Sequence, residues 1–193
     1  MKFNIFEYEK VTSTNDEAIK LIRQKKESGF VVSKIQSKGK GTHGKKWISK
    51  KGNFFGSFFF SLKKNYPTFD EFSLINPVII SNTLKKFCND ANISVKWPND
   101  IFINKKKVCG ILQELVTYND RKFLIIGIGI NIISNPVINE KYQATNIYFE
   151  TKKKLSINEI YGLLITSYEK FFLNLKSYNY SNYKKEANLM VQN

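Results

Sequence analysis

Hydrophobic and polar positions near the start of the chain follow two different periods, which predict a strand, a helix and a second strand. Apolar and aromatic residues over 3–8 suggest a short first strand. Thr14 followed by Glu17 has the form of a capping box, so a helix is predicted over about 15–27. The β-branched residues over 30–36 then predict a second strand.

The rest of the chain is predicted to contain one long apolar strand, two helices and a four-strand meander. The long strand covers 53–62. Apolar residues at helical spacing predict a helix over about 74–87, in which Pro77 must lie near the first turn. A second helix is predicted over 155–175 with Ser156 as its cap. Short turn-like connections join the strands of the meander, which are 93–97, 101–104, 108–117 and 122–132.

The order of these elements predicts the fold class. A strand, a helix, many strands and a helix favour an α+β fold with a mixed, largely antiparallel sheet flanked by helices, not a regular βαβ array. A chain of 193 residues can bury one substantial core without disulfides or metals. We therefore expect one main domain over 1–180 and a short tail over 181–193.

The basic charge of the chain raises the question of nucleic-acid binding. It has 31 Lys and Arg residues against 16 Asp and Glu, a formal net charge of +15, and clustered basic residues neutralise phosphates. Only Arg23 and Arg121 are arginine, whereas base recognition favours arginine, and the lysines are scattered in pairs and triplets. Charge alone therefore makes DNA or RNA a poor candidate for the main partner.

Cysteine use and hydropathy favour a reducing compartment. Cys88 and Cys109 are the only cysteines, lack metal-binding spacing, and are expected to be small core residues. The longest apolar runs fall short of the roughly 18 residues that a membrane helix needs. We expect a cytoplasmic protein with no membrane partner.

Residues 39–46, GKGTHGKK, form the most unusual segment. They almost satisfy the phosphate-binding pattern GxxxxGK[ST], but a strand pattern follows where a P-loop would open a helix. Three glycines let the backbone approach a ligand, while Lys40, Lys45 and Lys46 attract an anion. His43 is expected to contact solvent or phosphate, not to act as a general base. The alternative is an exposed basic hairpin tip.

Three later segments combine polar residues with tight backbone positions. KWPND at 96–100 presents a lysine, an amide and a carboxylate around one corner, although an ordinary turn would use the same residues. KVCGIL at 107–112 contains Gly110, against which a flat apolar ligand could lie, unless the glycine only marks a bulge. GIGIN at 127–131 ends with Asn131, whose amide can donate and accept as adenine recognition requires.

Together these segments resemble the catalytic domain of biotin protein ligases, over about 12–131 and in the order found in that family. The resemblance implies a fold similar to the catalytic core of class II aminoacyl-tRNA synthetases. It also implies that ATP, with Mg²⁺, activates biotin as biotinyl-AMP before transfer to a lysine of the biotin carboxyl carrier domain of a biotin-dependent carboxylase. The motifs are STN at 13–15, Gln36 followed by GKGTHGKKW through Trp47, KWPND, KVCGIL and GIGIN.

The same resemblance implies roles for individual residues. Lys107 would hold the carboxylate oxygen and the α-phosphate, Lys40 would close over the ligand, and Asp100 would orient or deprotonate the acceptor amine. The residues implied for biotin are Ser13, Thr14, Asn15, Gln36, Lys40, Gly41, Thr42, Trp47, Lys107, Gly110 and Leu112. The residues implied for the nucleotide are Gly39, Lys45, Lys96, Asn99 and Asn131, and no resident metal site is expected.

The glycine-rich segment departs from the family pattern. The family loop commonly reads GRGRRGR, whereas Lys40, Thr42, His43 and Lys45 stand at its arginine positions. Lysine lacks the bidentate fork of arginine and Thr42 lacks a charge, so we expect faster release of the adenylate than in arginine-rich relatives. An equal release rate would contradict this.

The ends of the sequence also differ from the family. Many bacterial relatives have an N-terminal helix-turn-helix domain, and the sequence offers no residues for one, so repressor function and DNA as a partner are not expected. Most relatives continue into an SH3-like C-terminal domain, which in this sequence is either absent or cut off. The 1–180 region is thus expected to be the catalytic domain, and family members often form homodimers.

Three other functions stay open at this point. A lipoate ligase or octanoyltransferase shares the fold, although the octanoyltransferase would need a catalytic cysteine with a nearby base. A basic RNA-binding module would need aromatic residues exposed on a sheet face, whereas the Phe-rich strand over 53–62 looks like core. A degenerate relative could bind biotin without turning it over.

Overall fold

The computed structural model describes residues 1–88, 91–136 and 143–191, and these residues form one seven-stranded sheet. The first strand pairs in parallel with the second, and all other neighbouring strands pair antiparallel. The predicted mixed, largely antiparallel sheet is confirmed. The strands are β1 (Ile5–Val11), β2 (Ser28–Gln36), β3 (Phe54–Ser61), β4 (Ile93–Lys96), β5 (Asp100–Ile103), β6 (Lys106–Tyr118) and β7 (Arg121–Ile130). Their order across the sheet is β1-β2-β3-β7-β6-β5-β4.

The predicted meander corresponds to β4–β7, and two of its connections are tight hairpins. Asn104 and Lys105 join β5 to β6 with φ of 49° and 65°. Asn119 and Asp120 join β6 to β7 with φ of 48° and 58°. Two successive positive φ angles match the right-handed twist of the flanking strands, and Asn and Asp tolerate them best after glycine.

Helices cover both faces of the sheet. One face is covered by α2, α4 and α5, and the other by α1. Every residue of β3 is therefore buried, with Phe58 in the large core and Phe59 in the smaller core under α1. The helices are α1 (Thr14–Arg23), α2 (Phe69–Lys85), α3 (Ile147–Thr151), α4 (Ile157–Leu173) and α5 (Tyr180–Leu189).

The predicted capping box at the start of α1 is wrong. Ser13 is the N-cap of α1 and makes no side-chain cap bond. Thr14 is the first helical residue, and its hydroxyl donates to Gln36 on β2 instead of capping the helix. The helix also ends at Arg23, earlier than predicted, and β2 begins at Ser28, two residues earlier than predicted.

The predicted position of Pro77 is also wrong, because it lies in the interior of α2. This helix begins earlier than apolar spacing indicates, since Thr68 and Glu71 form a capping box. The Thr68 hydroxyl accepts from the Glu71 N–H at 3.2 Å, and the Glu71 carboxylate accepts from the Thr68 N–H at 2.7 Å. The capping box in the first turn of α2, and not the apolar spacing, therefore marks where this helix begins.

Residues 181–191, which belong to the segment expected to be a short tail, pack as part of the domain. They form α5, whose Ala187 is buried against the large core together with Met190. The Val95 N–H donates to the Met190 carbonyl at 2.6 Å, so the chain reaches the edge strand β4. In the ranges that the structure describes, no helix is long and apolar enough to cross a membrane.

Asn53 fixes the chain where it leaves β7. Its side chain is buried, and its Oδ1 accepts from the N–H groups of residues 132–134 at 3.0, 3.2 and 3.3 Å. Asn53→Ala is expected to lower the free energy of unfolding by about 1–3 kcal/mol, because buried N–H donors lose their acceptor. Urea denaturation measures this, with exposed Asn4→Ala as control. A loss no larger than that of the control would contradict the assignment.

Candidate active site

A cavity of about 240 Å³ lies between the glycine-rich loop over 39–46, the start of α1 and strands β6 and β7. Fifteen of the residues predicted for ligands line it, and they come from segments far apart in the chain. They are Ser13, Thr14, Asn15, Gln36, Lys40, Gly41, Thr42, Lys45, Trp47, Asn99, Asp100, Lys107, Gly110, Leu112 and Asn131.

Two predicted residues lie outside the lining. Gly39, the first residue of the loop, is buried, and its carbonyl accepts from the Trp47 N–H at 2.9 Å. A side chain at Gly39 would place its Cβ 2.5 Å from the Trp47 carbonyl oxygen, so this position requires glycine. Lys96 is exposed at the end of β4, paired in register with Asp100. The structure thus gives Gly39 a backbone role in the loop.

One end of the cavity is a hydrogen-bonded network of uncharged polar groups and one carboxylate. The N–H and hydroxyl of Thr14 both donate to Gln36 Oε1, at 2.8 and 3.1 Å. Beneath them, Ser57 Oγ lies 2.7 Å from Thr14 Oγ1 and 2.5 Å from Asn15 Oδ1. Asn15 Nδ2 donates to Glu114 Oε2 at 2.6 Å. Protein groups therefore use both ends of the Asn15 amide, which fixes its orientation.

Ser57 and Glu114 were not predicted as part of the site. Ser57 is fully buried under the cavity, and Glu114 lies on β6. A signal for Ser57 exists, since it is the polar residue within the apolar run FFGSFFF. Glu114 carries no such local signal, because its contact with Asn15 joins residues 99 positions apart.

Three glycines on the neighbouring strands β6 and β7 form a flat surface under the cavity. Gly110 and Gly129 are paired in register, and both lie against the indole of Trp47. A Cβ at Gly110 would lie 2.6 Å from Trp47 Cζ3, and a Cβ at Gly129 would lie 2.6 Å from Trp47 Nε1. Trp47 itself therefore occupies the side of Gly110 that the sequence suggested for an apolar ligand. Gly127 leaves room for the Asn15 side chain in the same way, since a Cβ at Gly127 would lie 3.0 Å from Asn15 Cγ.

Lys107 and Asp100 form an ion pair at the other end of the cavity. Lys107 Nζ lies 2.7 Å from Asp100 Oδ1, and the two side chains are only 15% and 13% exposed. Lys107 Nζ is also 5.6 Å from the centre of the Trp47 ring. The ion pair holds the Lys107 ammonium group in a fixed, partly desolvated position beside the cavity, where it can also contact an anionic ligand.

The loop over 39–46 is tied to the protein on both sides of the cavity. Lys40 Nζ forms an ion pair with Asp16 Oδ1 in the first turn of α1. The hydrogen bond to the Asp16 carboxylate raises the pKa of Lys40 above its ordinary value, so Lys40 keeps its charge. On the opposite side, Asn99 Nδ2 donates to Thr42 Oγ1 at 3.3 Å. His43 is exposed with a φ of 54°, a conformation typical of loop tips.

Asn131 presents a buried acceptor to the cavity that it lines. Its Nδ2 donates to the Thr145 carbonyl at 3.0 Å. Its Oδ1 is buried and has no hydrogen-bond partner among the described residues. An unsatisfied buried acceptor costs about 1–3 kcal/mol, so the site suits a ligand that brings a donor such as an exocyclic amine.

Neither cysteine is suited to act as a nucleophile. Both thiols are buried, as predicted. Burial raises the pKa of Cys88 to about 11. Burial, followed by the Asp100 charge, also raises the pKa of the Cys109 thiol. Thiolate is the reactive form, so both side chains stay unreactive near neutral pH.

The structure is an α+β domain with a cavity of small-molecule size under a basic, glycine-rich loop. The chain belongs to the Biotin/lipoate A/B protein ligase family, whose sequence profile matches residues 5–131. The family membership that the five motifs indicated is therefore confirmed.

Individual relatives and a solved structure show the same similarity. The chain is 27% identical over 175 residues to the biotin–[acetyl-CoA-carboxylase] ligase of Paracoccus denitrificans, which covers 88% of this chain and 73% of that protein. It is 31% identical over 136 residues to the bifunctional ligase/repressor BirA of Escherichia coli (strain K12), 67% of this chain and 42% of that protein. The biotin protein ligase from Aquifex aeolicus in complex with biotin and ATP superposes with a TM-score of 0.79 at 27% identity, covering 97% of this chain and 78% of that one. The chain thus spans less than half of the E. coli relative.

Proposed function

We propose that this chain is an ATP-dependent biotin–protein ligase, which forms biotinyl-5′-AMP and transfers the biotin to one lysine of a biotin carboxyl carrier domain. The observation that supports this best is the order of groups along β6 and β7. The polar network of Thr14, Asn15 and Gln36 lies at the Leu112 end, Trp47 covers Gly110, and Lys107 is the second residue of β6. From Lys107 to Leu112 the strand β6 extends over roughly 16 Å. Biotin has the same order, with a polar ureido ring, an apolar chain and a carboxylate.

In the first step the residues present would hold two anions together. A carboxylate oxygen of biotin attacks the α-phosphorus of ATP, the acyl–phosphate bond forms, and the bond to the departing pyrophosphate breaks. Lys107 would offset the charge where the two anions meet, and Lys40 and Lys45 would add positive charge from the loop. Asn131 Oδ1 would accept from the adenine amine.

Mg²⁺ would enter this site with ATP. Among the described residues that line the cavity, Asp100 is the only one with a carboxylate, and this group is paired with Lys107. No cluster of three or more potential metal ligands occurs in the described ranges. The phosphates would therefore supply most of the ligands, an arrangement that Mg²⁺ commonly adopts. The ion would lower the charge repulsion between ATP and the attacking carboxylate.

In the second step Asp100 would act on the acceptor amine. The neutral amine of the acceptor lysine attacks the acyl carbon, AMP leaves, and the amine loses one proton. Asp100 lines the cavity beside Lys107, so its carboxylate can orient the amine and accept that proton. We propose this ligase activity in the cytoplasm, in agreement with the two free thiols, and without repressor function.

The experiment that tests the proposed function compares three carboxylic acids as substrates. The protein is incubated with Mg²⁺, labelled ATP and biotin, lipoate or octanoate, and formation of acyl-AMP and pyrophosphate is measured, followed by transfer to a carrier domain. Turnover with biotin supports the proposal, and turnover with lipoate alone would select the rival activity. Buried Cys109 argues against octanoyl transfer through a thioester.

A further inference from the structure

Asp16 is not among the groups that line the cavity, yet it contacts the loop that covers it. It lies in the first turn of α1, and its carboxylate pairs with the Lys40 ammonium. The Lys40 and Asp16 side chains are 44% and 28% exposed, so the pair lies at the rim of the cavity. Of the acidic groups near Lys40, Asp16 acts most strongly and Glu114 adds a weaker attraction.

The pair restrains a segment whose backbone is otherwise permissive. Within the loop, the Gly41 N–H donates to the Lys45 carbonyl at 2.8 Å, and Lys40 forms an isolated β-bridge with Lys46. Lys40 thus stands at the base of a small closed loop. Fixing its side chain fixes the point from which the loop extends over the cavity.

We propose that Asp16 is a positioning residue that acts through Lys40 and holds the loop closed over the activated ligand. This inference rests on the proposed function, because it names what the closed loop retains. Lysine has a flexible stem and a single charged head, so it needs a second partner to take one orientation. The Asp16 carboxylate supplies that partner and partly replaces the rigid fork of an arginine.

A double-mutant cycle tests the inference with two measurements. The variants are Asp16→Asn, Lys40→Ala and the double variant. The measurements are the release rate of biotinyl-AMP and amide hydrogen exchange over residues 39–46. Asp16→Asn is expected to raise both about two- to fivefold, the range of an exposed ion pair. It is expected to change neither in the Lys40→Ala background, and Asp16→Glu is expected to restore slow release.

Glu17→Gln is the matched control. It removes the same charge from the same turn of α1, but Glu17 pairs with Lys20 at 2.8 Å and does not line the cavity. A general effect of charge on the helix would appear in both variants, whereas the proposed effect appears only in Asp16→Asn.

Two results would overturn the inference. One is unchanged or slower loop exchange in Asp16→Asn, since Asp16 would then merely compete with the ligand for Lys40. The other is an equal effect of Asp16→Asn in the Lys40→Ala background, because Asp16 would then act independently of Lys40. If the wild-type protein formed no adenylate, the proposed function would fail, and hydrogen exchange would still decide the role of Asp16.

Discussion

Lys107→Ala is expected to slow formation of the acyl-adenylate by about two orders of magnitude or more, as loss of a preorganised electrostatic group commonly does. The ammonium group is fixed 2.7 Å from Asp100 in a largely buried position. Negative charge from the biotin carboxylate and the α-phosphate would meet at this point. The measurement is the single-turnover rate of pyrophosphate release with saturating ATP and biotin.

Lys106→Ala is the matched control for this variant. Lys106 is the neighbouring residue, pairs with Glu150 at 3.4 Å and does not line the cavity. Because Lys107→Ala leaves the Asp100 carboxylate without its ion-pair partner, urea unfolding must show that the variant is folded before rates are compared. A folded Lys107→Ala protein with the wild-type rate would contradict the role of Lys107.

Gly110→Ala and Gly129→Ala are each expected to weaken biotin binding about ten- to a hundredfold. A methyl group at either position would overlap the Trp47 indole, with distances of 2.6 Å to ring atoms. The Trp47 backbone is held by Gly39, so the ring must move toward the cavity. Overpacking of this kind costs about 1–3 kcal/mol. If the displaced ring takes this cost out of the binding free energy, biotin binds about ten- to a hundredfold more weakly. Isothermal titration calorimetry with biotin measures it.

Gly162→Ala provides the control for glycine replacement. Gly162 lies in α4, and a Cβ there would meet no atom within 4 Å. This change is expected to leave biotin binding unaltered and to raise the free energy of unfolding by about 0.5–1 kcal/mol, since alanine favours a helix. Unchanged biotin affinity in both Gly110→Ala and Gly129→Ala would show that the glycine surface does not shape the site.

Local sequence signals predicted the elements whose partners are close in the chain. The hairpins of the meander follow from turn residues such as Asn104 and Asn119, and the helix capped by Ser156 forms as expected, with a capping box to Glu159. The same signals were wrong where a distant residue competes for a side chain. Thr14 has the sequence pattern of a helix cap, but Gln36 on β2 takes its hydroxyl.

The site could be predicted as a set of residues but not as a network. Family likeness named fifteen residues that the fold gathers around one cavity. The residues that orient them were missed, because Ser57, Glu114 and Asp16 act through contacts with residues 24 to 99 positions away. Such contacts depend on strand order and register, which periodicity alone does not specify. The position of Trp47 over Gly110 and Gly129 also depends on strand order and register, so the sequence pattern did not predict it.

The most direct measurement is a crystal structure of the protein with biotin and ATP. We expect biotinyl-AMP in the cavity, with its ureido ring beside Thr14 and Gln36 and its adenine beside Asn131. We also expect Lys107 Nζ within hydrogen-bond distance of an acyl or phosphate oxygen, and residues 39–46 closed over the ligand. A vacant cavity in crystals with both substrates, with residues 39–46 turned away from it, would show that the proposed ligase site is wrong.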